Sequence, residues 1–541
     1  MMNFLKKLLL LLLIPFTAMA GVNVKNGNFY ISYSDIVVPG GGQDLEFLRN
    51  YNSKSPHKGW VGFGWGSDYE TYLVPSADGS VVIYESGSGA QSRFVPKKAV
   101  DPKKAAQEIV EAMRKKSQVP QNVADKLIKN LTNNAELRQV YAKRWKVQAN
   151  IAVGSVLYSN NRGLQKVEKT SKGYRRSFND GKVEDFNSDG KLIRVKNKNG
   201  YYVNLNWSNK QLKSIKDSQG KQLFFEWYPD NKIKHISSTG KKKTTYKYEG
   251  DNLVESTDVA GNVFKYSYDS NHNLEKITYK DGSSMDIKYH KKTMFVASVK
   301  EKNGELTSYD YDSNPKNPDF HYWTIVKKKS PTGREVSNRY EYEIKTKPDG
   351  AHYTYRILTD INGLRTETIY SECCSLPLKI TRGKEVTTFD YNDKGLLTKK
   401  SSSRGEYVEL KYHKKFNKIT EVVNRKGRTA FEYDKKGNLK KAYNKKNAVL
   451  LIYDSKGRIT KMIDQEVKTK KKRVLSFKYN SLGKPVEIAM ERVGKINVAY
   501  DNFGEIKKVE SKAGHKMALQ VTKAFQSLLT IVKPAGVNLN M

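Results

Sequence analysis

The side chains able to do chemistry are scattered. Eight histidines stand at His57, His235, His272, His290, His321, His352, His413 and His515. No two share the spacing that puts a pair of imidazoles on one helix face for zinc. Cys373 and Cys374 are adjacent, and a disulfide between neighbours is strained and staples nothing distant. A nucleophilic thiolate needs a base partner, and the sequence places none beside them. The segment Tyr370-Ser371-Glu372-Cys373-Cys374-Ser375-Leu376-Pro377 reads instead as a turn with small residues. No nucleophile elbow or phosphate-binding loop occurs. Gly62-Phe63-Gly64-Trp65-Gly66 has the wrong glycine spacing for a dinucleotide loop, and no helical pattern follows it. Carboxylates are plentiful but sit mainly at turn positions, with no pair marking a general acid and base. The expectation is a protein that is not an enzyme, with no catalytic residue, cofactor site or metal site.

What must be positioned is therefore a scaffold, and its period is visible. Phe431-Glu432-Tyr433-Asp434-Lys435-Lys436-Gly437-Asn438-Leu439 is the clearest copy of a unit that recurs at Tyr453-Asp454 with Gly457 and at Tyr500-Asp501 with Gly504. Looser copies start at Tyr391, Tyr412 and Tyr479. Upstream, the anchors Phe186, Trp207, Trp227, Tyr248, Tyr268 (followed by Asp269) and Tyr289 are 21, 20, 21, 20 and 21 residues apart. Phe431 and Tyr433 share a strand face because side chains alternate. Asp434 suits a carboxylate that accepts from turn amides, and Gly437 supplies a positive φ. A second turn lies between anchors, as at Asp217-Ser218-Gln219-Gly220 and Asp258-Val259-Ala260-Gly261. Each unit is then a β-hairpin that cannot bury its aromatic face alone, and stacking makes the core continuous. The residues Tyr268, Asp269, Tyr433, Asp434, Gly437, Tyr453, Asp454, Gly457, Tyr500, Asp501 and Gly504 are read as structural: core anchors, turn caps and turn glycines.

In register, these Tyr-Asp-x-x-Gly-x-Leu/Ile copies resemble the YD repeats of Rhs proteins, insecticidal toxin-complex shell subunits and teneurins. The resemblance spans roughly Val167 to Lys512. It implies a long β-sheet that spirals into a shell. The N-terminal segments Asn26-Gly27-Asn28-Phe29, Ser34-Asp35-Ile36-Val37-Val38-Pro39-Gly40-Gly41, Leu48-Arg49-Asn50-Tyr51-Asn52-Ser53 and Gly62-Phe63-Gly64-Trp65 resemble the domain that precedes such repeats. Large members carry an Asp-Pro-x-Gly-Leu type segment at which a C-terminal toxin is released. None is found here, so self-cleavage and toxin encapsulation are not carried over; the array is also short beside the full shells, so a closed cocoon is not expected.

The remainder has a different texture. Met1 to Ala20 carries Lys6 and Lys7, an apolar run from Leu8 to Ile14, and the small-residue pattern Ala18-Met19-Ala20. That is the pattern of a secretory signal peptide, and its apolar run is too short to span a bilayer. Asp101-Pro102 opens a helical insertion, with Ala106, Ile109, Val110 and Met113 at helical spacing, a break at Pro120, and further helix to about Trp145. Near the end, Val521, Phe525, Leu528, Leu529 and Val532 form an apolar stripe before Pro534, suiting a helix that caps the array. The expected organisation is a signal peptide at 1–20, an Rhs-type β module at 21–96, a helical insertion at 97–150, the repeat array at 151–512 and a C-terminal helix and tail at 513–541. The fold class is mostly β: tandem YD hairpins in a long curled or spiralling antiparallel sheet, an open or partial shell.

Composition bounds the partners. The 541 residues carry a formal charge of +41, and 34 Tyr with 19 Phe argue against disorder. Export makes nucleic acid an unlikely partner and turns attention to anionic glycan or cell-wall polymer. The expected role is an exported structural or binding module in the periplasm, at the cell surface or secreted. The alternative is a partial shell or carrier for a separately encoded effector. No transmembrane span is expected in the mature chain.

Overall fold

The computed structural model describes residues 19–532, apart from 40–43, 88, 98–99, 160–164, 179, 199, 210, 239–242, 373–374, 482 and 501–505. The segment before Met19, the cysteine pair, Asp501 and Gly504 lie outside the described residues. One antiparallel sheet of 36 strands dominates, each strand pairing with the next in sequence from Tyr72–Pro75 to Ile506–Glu510. Its start coils back on itself. Tyr72 bridges to Lys191, and the Leu73 amide donates to the Gly190 carbonyl at 2.8 Å. Gly190 has a positive φ of 79°, and an added Cβ there would sit 1.9 Å from the Leu73 carbonyl oxygen, so only glycine fits the closure. No pairing returns the last strand to the first among the described residues. The sheet is a spiral, not a closed ring.

One repeat shows how the sequence builds it. The strand Gly427–Tyr433 turns and re-enters as Leu439–Tyr443. In the turn, the Asp434 carboxylate accepts the amides of Lys436 and Asn438, each at 2.8 Å, and Gly437 has φ +84°. Asp454 does the same for Lys456 and Arg458, and Asp269 for Asn271 and Asn273. The Asp269 turn has His272 at φ +64° where other copies have glycine.

The register slips at each anchor, between Glu432 and Tyr433, Ile452 and Tyr453, Ser267 and Tyr268. This bulge turns the re-entry residue out of its ladder, so its carbonyl needs another donor. The next anchor provides one. The Tyr433 hydroxyl donates to Ile419 at 2.7 Å, Tyr453 to Leu439 at 2.8 Å, Tyr268 to Leu253 at 2.7 Å and Tyr500 to Pro485 at 2.9 Å. Trp207 and Trp227 reach Leu192 and Leu212 with their indole N–H groups, both at 2.9 Å. Tyrosine and tryptophan thus recur because each combines an apolar ring with a donor at its tip.

Two parts of the chain cover the inner face of this sheet. A four-stranded sheet formed by Met19–Asn23, Asn28–Val38, Leu45–Asn52 and Trp65–Ser67 packs against the early repeats. Its Phe29, Ile31, Phe47, Tyr51 and Trp65 share one core with Leu212, Phe225, Tyr246, Leu274 and Ile287. Three helices follow the N-terminal β strands: α1 (Pro102–Arg114), α2 (Gln121–Asn133) and α3 (Ala135–Trp145). Asp101 caps α1 by accepting from Lys104, with Pro102 in its first turn. These helices pack chiefly on one another. They join the sheet through Arg138, which pairs with buried Asp78 at 3.1 Å and donates to the Asp349 carbonyl at 2.9 Å.

The last helix, α4 (Gly514–Val532), lies across the inner face of the strands between Leu439 and Tyr500. Met517 and Ala524 are fully buried, and Val521 and Leu528 partly so, one row at i, i+4, i+7, i+11. Phe525 and Leu529, which the sequence placed in the same stripe, are exposed. Phe525 still meets the Phe477 ring edge-on, with centroids 6.3 Å apart, from the margin of the contact. The helix covers a face; it does not cap the edge.

Candidate functional site

The inner face is where this architecture concentrates chemistry. At its centre, Arg49 is fully buried on the same strand face as Phe47 and Tyr51. Its guanidinium donates to both carboxylate oxygens of Asp35, at 2.8 and 3.1 Å. It also reaches Ser256 and Tyr266 of the repeats, both at 3.0 Å. Tyr246 donates to Asp35 at 2.8 Å, and the Trp65 ring lies 4.4 Å from the guanidinium carbon. Around this node the repeats give their freed re-entry amides to the N-terminal module: Ile233 to the Trp60 carbonyl, Leu274 to the Tyr51 hydroxyl and Val296 to the Gly27 carbonyl, at 2.8, 2.9 and 2.9 Å. The arrangement is a lock between two parts of the chain. It has no access for a substrate, and both charges are consumed by each other.

Beside the lock sits a buried carboxyl without a cationic partner among the described residues. Glu70 accepts the amides of Trp60 and Ser67. Burial pushes it up to about 8, and the two amides oppose the shift. A folded-state value above the unfolded one means the stabilising contribution is complete below about 4.5 and is lost as pH rises through about 8. Unfolding monitored from pH 5 to 8 should therefore show stability falling with pH, by up to about 1.4 kcal/mol per pH unit from this group. Glu70→Gln should flatten that slope. An unchanged slope in the variant would assign it elsewhere.

Between the two covered stretches the wall is open. One row of facing residues crosses it: Tyr322, Tyr342, Ile357, Thr368, Ile380, Thr387 and Ser402, each paired with the next. Most are half-buried, and the Tyr322 and Tyr342 rings lie 5.7 Å apart. The N-terminal sheet reaches only its margin, where Thr324 donates to the Val24 carbonyl and Lys25 to the Thr354 hydroxyl. At the far margin, Thr387, Lys400, Ser402 and Val408 line a cleft of about 310 Å³. Hydroxyls and ring edges suit a polar, extended ligand; at the far margin the Ser402 hydroxyl donates to the Glu385 carboxylate at 3.0 Å.

On the opposite face, His321, Glu341 and Glu343 bring three possible metal-ligand atoms within 4.8 Å of one another. Guanidiniums already hold those carboxylates. Arg339 bonds Glu341 at 3.0 Å, while Arg356 contacts Glu343 and bonds Glu367 at 2.7 Å. A cation here would displace two arginines, so the group fits an ion-pair network and not a metal site. The outer lysines elsewhere follow a related rule. Glu421 lies between Lys411 and Arg428, and Glu487 between Lys478 and Lys495, two cations to each carboxylate along the cross-strand rows. Much of the positive excess is this solvated outer surface.

Of the residues singled out from sequence, the described ones are distributed along the spiral as repeats of one role and converge on no single site. Asp35, Arg49 and Glu70 were not singled out. An arginine alternating with Phe47 and Tyr51 was the available signal.

A spiral of hairpins bearing a donor ladder and covered by its own N-terminal sheet is a YD-shell-like architecture. Parts of the chain match RHS/YD-repeat family models: the model described as RHS Repeat matches residues 246–284, and that described as Teneurin YD-shell matches 409–506. A third, the domain of unknown function DUF6531, matches 20–94. No curated protein sequence matches the chain. Among solved structures, "Crystal Structure of TcdB2-TccC3-TEV" aligns at 10% identity and TM-score 0.41, covering 90% of this chain and 32% of that one. "Structure of Photorhabdus luminescens Tc holotoxin pore, Mutation TccC3-D651A" aligns at 9% identity and TM-score 0.31, covering 89% and 28%. The chain spans a third or less of the length of these structures. Among the described residues, no helix is long and apolar enough to cross a membrane.

Proposed function

We propose that this protein is an exported, self-filled YD shell: a structural scaffold outside the cytoplasm that holds an anionic glycan or cell-wall polymer on its basic surface. The observation that carries this reading is the occupation of the inner face by the chain's own parts, the N-terminal sheet locked through Arg49 and α4 seated on Met517 and Ala524. A shell filled this way offers its outside and its open stretch of wall for binding. The leader-like residues 1–20 and the net charge of +41 support export and an anionic partner.

The second reading, a partial shell for a separately encoded effector, draws on the half-buried row from Tyr322 to Ser402. One experiment separates them. The mature chain, purified from its native host, should elute alone and sediment with purified cell-wall polymer at physiological salt. A stoichiometric protein partner that persists in about 1 M salt, where screening acts within roughly 3 Å, would replace the first reading with the second. Failure to sediment with any envelope polymer would remove the first outright.

A further inference from the structure

The spiral brings its first coil against a much later turn, and the seam between them is cationic. Lys166 comes from an early strand and Lys198 from an early turn, and Lys415, Lys418 and Lys436 from the turns that follow Tyr412 and Tyr433. They surround a cleft of about 290 Å³ whose apolar lining includes Phe178 and Phe416. Unlike in the outer rows, no described carboxylate is ion-paired with any of these five lysines, although Asp180 lies on the rim. Lys418 is held in place by donating to the Gly437 carbonyl at 2.5 Å, and Phe416 packs on Gly437. Burial lowers the Lys418 ammonium and the nearby positive charge of Lys198 lowers it further, while Asp434 and Asp180 oppose the shift. Two ammonium groups from distant parts of the chain thus act on one another across the cleft, with Asp180 and Asp434 near Lys418 but ion-paired with neither ammonium. That repulsion is relieved by an anion placed between them.

We infer that this seam is a binding site for an anionic saccharide, its phosphate or carboxylate between Lys198 and Lys418 and its sugar face against Phe178 or Phe416. The inference rests on the polymer-binding reading above and gives it a location. Lysines supply charge without fixed geometry, so either anion suits them, while aromatic rings select for the C–H face of a sugar. The volume lies at the lower end of small-ligand clefts, roughly 300–1,000 Å³, which suits a short segment of a polymer.

The test titrates the full mature chain calorimetrically with poly(glycerol phosphate), with polygalacturonate and with single-stranded DNA. The first two probes distinguish phosphate from carboxylate as the anion. Lys198→Gln with Lys418→Gln should weaken binding of at least one of these first two probes about tenfold or more. The same charge change at Lys265 and Lys288, exposed on the outer face, should change it less than about twofold. Lys166→Gln with Lys415→Gln, both at exposed positions, repeats the test where folding is not at stake, and circular dichroism confirms the fold of each variant. Equal losses in seam and outer-face variants would overturn the site and leave polymer binding intact. DNA bound as tightly as the glycans, with the same seam dependence, would overturn the saccharide assignment. No binding of any probe by the wild-type chain would remove both this site and the reading it rests on.

Discussion

Replacing Arg49 with leucine should destabilise the protein by about 3–5 kcal/mol, because it strands Asp35 as an uncompensated buried charge. Asp35 is only 2% exposed, and apart from Arg49 its described side-chain partner is the Tyr246 hydroxyl. The loss should appear as early protease cleavage within the N-terminal sheet and a lower thermal midpoint. The double variant Asp35→Leu, Arg49→Leu should recover a large part of it, since removing both charges abolishes the desolvation burden that removing one exposes. If the single variant behaves like wild type, the N-terminal sheet does not dock through this node. If the double variant is as unstable as the single, the node stabilises through its hydrogen bonds to Ser256 and Tyr266 more than through charge balance.

Trp227→Ala should be comparably severe, about 3–5 kcal/mol, and Trp227→Phe much milder, about 0.5–1.5 kcal/mol. The alanine change empties the ring's place beside Trp60, whose centroid is 5.5 Å away, and removes the donor to Leu212. The phenylalanine change removes the donor and part of the ring's volume but keeps an aromatic ring in place. A gap between the two variants measures ring burial against the ladder hydrogen bond. Equal effects would mean that the donor, and not the ring, sets the anchor. Urea unfolding with a local fluorescence probe suits the measurement, since a long repeat array need not unfold in one step.

The spiral was legible in the sequence because its determinants are local. Anchor spacing, turn aspartates and turn glycines each occupy a few consecutive residues, and they recur. The reason for Tyr and Trp over Phe was less accessible: the donor's acceptor, such as Leu439 for Tyr453, lies one repeat upstream and is freed only by a bulge. The covering of the inner face was not legible at all. Nothing near Arg49 in sequence announces Ser256 or Tyr266, and the contact exists only once the sheet has coiled. The helix α4 was readable as an amphipathic element, but which of its apolar residues would face the wall depended on the curvature of strands far upstream. The seam lysines were lost within a uniformly basic composition, and only the stacking of an early coil on a later turn sets them apart.

The most direct measurement is residue-resolved hydrogen exchange of the intact chain at the amides of Ile233, Leu274 and Val296. These three point out of their own ladders and are bonded only to Trp60, Tyr51 and Gly27 of the N-terminal module. A self-filled shell should protect them as strongly as interior amides of the same strands, such as Ile277. Exchange at the rate of exposed hairpin turns would mean that the N-terminal sheet does not occupy the inner face, and the account would fail.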